Sequence, residues 1–79
     1  MKDLVIIYSN RNLESERAIC LMQSLEQKYV EYLMGVDFTE EQFISEFGEG
    51  ATYPQIAIGL RHIGNLNETL KHFNYTGKL

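Results

Sequence analysis

Tryptophan is absent from this chain, proline and cysteine occur once each, and the longest apolar run is residues 4–8. Each shortage excludes something. A membrane-spanning helix needs about 20 consecutive apolar residues. The N-terminus also lacks the basic region, apolar stretch and cleavage site of a signal peptide, so a cytoplasmic protein without membrane partners is expected. A single cysteine forms no internal disulfide. Seven Lys and Arg stand against eleven Asp and Glu, unclustered, for a net charge of -4. That balance offers no electrostatic footprint for phosphate backbones or anionic lipid, and nucleic acid is not expected as a partner. His62 and His72 lack metal-ligand spacing, no metal site is expected, and there is no glycine-rich phosphate loop. The five tyrosines lack an accompanying basic groove and read as core-edge residues rather than a stacking platform.

What is present is a globular pattern. Seventy-nine residues permit one domain, residues 1–79, because a chain of this size cannot support two cores. Residues 4–8 are continuous, apolar and β-branched, as in a strand buried on both faces. Ala18, Leu21, Met22, Leu25 and Tyr29 recur at helical spacing, predicting a helix from an Asn12 N-cap to about Lys28. Residues 30–36 suggest a second strand. Thr39 with Gln42 makes a capping box before Phe43, Ile44 and Phe47, and Gly48 stops that helix. Residues 55–58 and 61–63, separated by Gly59 and Leu60, predict an antiparallel hairpin broken at Gly64. Asn65 with Glu68 opens a last helix carrying Leu66, Leu70 and Phe73. The order is β-α-β-α-β-β-α.

With those elements placed, the opening IIYSN and above all TYPQIAIGLRHIGN (residues 52–65) resemble a glutaredoxin. The family's pattern there is Thr-x-Pro, a strand, a two-residue turn and His-Ile-Gly-Gly, and the likeness covers about residues 3–73. It implies a thioredoxin-like fold with a four-stranded mixed sheet, its first two strands parallel and its last two a hairpin, and three helices. It also implies a cis bond before Pro54, and with Thr52 and Tyr53 a backbone edge that pairs with extended glutathione or peptide. The family's γ-glutamyl-binding segment matches Gly64, Asn65, Leu66, Asn67 and Glu68. Asn65 stands there for a glycine and Asn67 for a carboxylate, and Glu68 reads equally as the capping acid of its helix. Arg11 is the cation left to meet a glutathione carboxylate.

The same resemblance exposes a loss. Glutaredoxins carry Cys-x-x-Cys or Cys-x-x-Ser at the first strand-to-helix turn. Counting forward from Tyr8 puts the nucleophile at Leu13, and counting back from Ala18 puts it at Asn12; neither register, running on to Glu16 or Ser15, holds a thiol. Exchange chemistry needs a thiolate stabilised at a helix N-terminus. The hydroxyl of Ser15 stays protonated near neutral pH without a neighbouring base, and Glu14 and Glu16 oppose an adjacent anion. NLESE therefore reads as a capped helix start.

Cys20 is the remaining thiol. It lies off the apolar stripe and eight residues past Asn12, roughly 12 Å along a helix. Modest reactivity is expected there, at most a regulatory mixed disulfide with glutathione. The expected function is a redox-inactive module that docks a protein or peptide through the former active-site face. A former redox client such as a ribonucleotide reductase would suit. The alternative is a glutathione-dependent enzyme, either a weak oxidoreductase through Cys20 or an activity similar to glutathione S-transferases through Ser15. Against the latter, transferases carry a helical second domain. Glutathione is the only cofactor the resemblance brings.

Overall fold

The computed structural model describes residues 4–77 and contains β1 (Val5–Ser9), α1 (Leu13–Ser24), β2 (Tyr29–Leu33), α2 (Glu40–Phe47), β3 (Gln55–Ile58), β4 (Arg61–Gly64) and α3 (Leu66–Tyr75). The strands lie in the order β2-β1-β3-β4. β1 runs parallel to β2, with α1 as the crossover, and antiparallel to β3; β3 and β4 form an antiparallel hairpin with a bulge at Ile56 and Ala57. This is the α/β, four-stranded mixed-sheet architecture of a thioredoxin-like fold, in the element order expected from the sequence.

One side of the sheet carries the core. Val5 and Ile7 from β1, Ile56 from β3, Ala18 and Met22 from α1, and Leu66 and Phe73 from α3 form a single buried cluster. Full burial of a side chain the size of Ile, Met or Phe contributes about 1.5–3 kcal/mol. Leu21, Leu25 and Leu70 close its rim. On the other side Ile6 and Tyr8 are only half-buried, so β1 is not the doubly buried strand expected. The reason is coverage: α1 and α3 share the first side, and α2 alone serves the second. The strand also lies one residue later than expected, opening at Val5 and running on to Ser9, which still pairs with Leu33.

Two further boundaries differ from expectation. α1 stops at Ser24 rather than near Lys28. The Gln27 N–H donates to the Met22 carbonyl and the Glu26 N–H to Gln23, with Glu26 left-handed at φ 54°, which is a Schellman closure without glycine. Tyr29 consequently opens β2 instead of extending the helical stripe. β2 ends at Leu33 rather than at residue 36. There the Leu33 N–H donates to the Asp37 carboxylate, its carbonyl accepts from Val36 and Asp37, and Gly35 takes φ 88°. Gly64 closes β4 rather than breaking it, paired with Ile56.

Candidate functional site

The turn between β1 and α1 is built from its own side chains. Ser9 Oγ accepts from the Arg11 N–H, and Asn10 Oδ1 accepts from the Asn12 N–H, at 3.0 Å in each case. These bonds hold Arg11 in a left-handed conformation, φ 65°. Asn12 is the N-cap, its Oδ1 accepting from the Ser15 N–H at 2.8 Å. Its Nδ2 donates to the Tyr53 carbonyl at 3.3 Å, across the cis Tyr53-Pro54 bond from β3. The N-cap expected at Asn12 is therefore in place. Leu13 is the first helical residue, an exposed apolar side chain with 65% of its surface accessible.

Strand pairing brings the other expected segments to the same end of the sheet. Tyr8 pairs with Gln55 and Gly64 with Ile56, so the 9–12 turn, Tyr53-Pro54 and the start of α3 share one rim. Thr52 is exposed, and its carbonyl accepts from the Gln55 amide at 2.8 Å; the same amide's oxygen meets His62 Nε2 at 2.7 Å.

At α3 the polar groups are already paired with one another. Asn65 Oδ1 accepts from the Glu68 N–H, and Glu68 Oε1 accepts from the Asn65 N–H, a reciprocal capping box. A Cβ at Gly64, where φ is 132°, would collide with that Glu68 carboxylate. Glu68 thus serves its helix, and Asn67 remains exposed beside it. Arg11, expected to meet a ligand carboxylate, is paired instead: its Nε lies 2.8 Å from Glu31 Oε2 on β2, and its Nη1 is 4.0 Å from Glu16.

Chemically the rim offers backbone edge, amides and an apolar side chain. It holds no thiol. Ser15, expected as a candidate hydroxyl donor, is fully buried, and its Oγ has no hydrogen-bond partner among the described residues. It heads the inward stripe Ser15, Ala18, Met22, a spacing that the sequence reading overlooked. Cys20 is exposed and lies on an open groove of about 640 Å³ between α1 and α3, with Leu21, Leu66, Asn67 and Leu70.

The sequence reading also missed the aromatic side of the sheet. Phe43 stacks on Tyr53 with ring centroids 4.1 Å apart, and Tyr8, Phe38 and Phe47 continue the cluster. Burial, with Glu40 nearby, pushes the Tyr53 phenol above its ordinary value; burial, with Tyr32 and Glu46, does the same for Tyr8. The signal was available as Phe43 and Phe47 four residues apart on α2, followed by Tyr53. No metal-ligating cluster occurs among the described residues, and no described helix is long and apolar enough to cross a membrane. Compared with protein-family models and with curated proteins, the sequence matches none.

Proposed function

We propose that this chain is a glutaredoxin-like domain that has given up thiol chemistry and binds an extended protein or peptide segment along the rim formed by Asn12, Leu13, Tyr53-Pro54 and residues 64–68. The observation that carries the reading is Asn12. Its side chain takes the N-cap position and links it to the Tyr53 carbonyl. An amide there satisfies the helix N–H that a thiolate would otherwise use, with no charge and no nucleophile. Leu13, the next residue, adds an exposed apolar side chain that can serve as an anchor.

The glutathione-dependent alternative has less support. The Ser15 hydroxyl is enclosed, Arg11 is held by Glu31, and Asn65 and Glu68 are occupied by each other. Its best support is the exposure of Cys20 on the α1–α3 groove.

Two measurements separate the readings. Reduced glutathione titrated to millimolar concentration into isotopically labelled protein is expected to leave the amides of Tyr53, Gln55 and residues 64–68 unmoved. Saturable shifts confined to them would favour the glutathione-dependent enzyme. Peptides selected from a random library are expected to perturb Leu13, Tyr53 and Gln55; mapping of the selected peptides elsewhere would remove the docking reading. As a check on the register, Asn12→Cys should gain thiol-disulfide exchange with glutathione, whereas Leu13→Cys should not.

A further inference from the structure

The side of the sheet that α2 covers carries a closed circuit of four rings. Tyr8 lies 5.6 Å from Phe38 and 5.0 Å from Phe47 between centroids; Phe43 lies 5.9 Å from Phe38 and 4.9 Å from Phe47. Three of these contacts are steeply tilted, at 74°, 64° and 53°, and the fourth, between Phe38 and Phe43, is stacked at 24°. With Gln42 and Glu46 they line an open cavity of about 320 Å³.

The segment that supplies most of this cavity is acidic. Between Lys28 and Arg61 the sequence contains no Lys, Arg or His; Glu31 lies on the other face of the sheet and is paired with Arg11, and the remaining acids are Asp37, Glu40, Glu41, Glu46 and Glu49. Glu46 lines the cavity itself, and its charge is felt at the Tyr8 phenol. His62 packs on Phe47 at 4.8 Å, and its Nε2 is bonded to Gln55. The field therefore admits cations and repels anions.

We propose that this cavity binds a small alkylammonium cation, a quaternary ammonium group above all, through the faces and edges of Tyr8, Phe38, Phe43 and Phe47 and the carboxylate of Glu46. Such a cation is attracted by an aromatic ring whose centroid lies within about 6 Å, and Tyr8, Phe38 and Phe47 line the cavity half-exposed with the buried Phe43 ring behind them. A hydrated metal ion needs several oxygen ligands, and only one carboxylate lines the cavity. A primary ammonium carries three donors that seek acceptors, whereas a trimethylammonium group carries none and presents a methyl surface to the rings. The volume falls at the small end of the roughly 300–1,000 Å³ range for ligand sites, which suits such a head on a short arm. The site is separate from the peptide rim and does not rest on that proposal. The two meet where Tyr53 stacks on Phe43 and Phe38 and where Tyr8 pairs with Gln55.

The test uses choline chloride and its neutral isostere 3,3-dimethylbutan-1-ol, titrated into the labelled protein at low ionic strength. Choline is expected to saturate, shifting the ring protons of the four aromatics and the Gln42 and Glu46 amides, with its methyl resonance moved by ring currents. The alcohol should bind at least about tenfold more weakly, since it lacks the charge. Glu46→Gln, at an exposed position, should weaken choline by about threefold or more. Phe47→Leu keeps apolar volume while removing one ring, and should weaken choline more than the alcohol. Equal binding of choline and the alcohol would reduce the cavity to an apolar cleft and overturn the proposal. So would an absence of saturation, shifts confined to other residues, or insensitivity to Glu46→Gln in a folded variant.

Discussion

The two sides of the β-sheet solve different problems. Under α1 and α3, Val5, Ile7, Met22, Ile56 and Phe73 are sealed from water. Under α2, Tyr8, Phe38, Phe47 and Tyr53 meet ring to ring and stay half-exposed, with Phe43 alone fully enclosed. An aliphatic core lowers free energy in proportion to the apolar area it removes from water. Half-open aromatic surface gives part of that up and keeps faces available for recognition. Stability is thus concentrated on one side of a small sheet, while the second side stays partly open to solvent.

The largest test of this contrast is a pair of truncations. Phe73→Ala in the sealed side should cost about 3–5 kcal/mol in urea unfolding, enough to unfold much of a domain this small. Phe47→Ala on the aromatic side should cost only about 1–2 kcal/mol. Equal losses would mean that α2 belongs to the core after all.

A smaller effect with the opposite sign is expected at Ser15. Its buried hydroxyl lacks a hydrogen-bond partner among the described residues, so Ser15→Ala should stabilise the protein by about 1 kcal/mol. A loss of similar size would show that the hydroxyl is satisfied and locate a polar feature inside the core.

Glu26→Gly should add roughly 0.5–1 kcal/mol by relieving the left-handed residue that closes α1. Unchanged stability would mean that the Schellman closure is not strained.

The last prediction concerns pH and belongs to the aromatic side alone. The phenols of Tyr8 and Tyr53 are raised above 10.0 in the folded protein, chiefly by burial, so the unfolded chain ionises first. The stability they contribute is complete below about pH 10 and falls as the pH rises through their folded values. The double variant Tyr8→Phe, Tyr53→Phe should flatten this alkaline decline. An unchanged slope would place its origin elsewhere.

The helix starts were legible because a cap is a local contract. Asn12 with Ser15, Thr39 with Gln42 and Asn65 with Glu68 each close over three residues, and such bonds form wherever the chain turns into a helix. The hairpin at Gly59 and Leu60 and the element order were legible for the same reason. The end of α1 was not, because its left-handed residue is a glutamate where glycine is the usual signal.

The sequence by itself determined the seven elements, the caps that start the helices and the absence of a thiol from the first turn. Only the tertiary structure decided that Asn12 reaches the Tyr53 carbonyl 41 residues away, that Arg11 is taken by Glu31, and that Ser15 faces inward. It also closed Tyr8, Phe38, Phe43 and Phe47 into one cavity from three separate segments. The physical reason is range. Caps and turns depend on neighbours a few residues away, whereas these contacts exist only after the strand order β2-β1-β3-β4 has brought distant residues to the same face and rim.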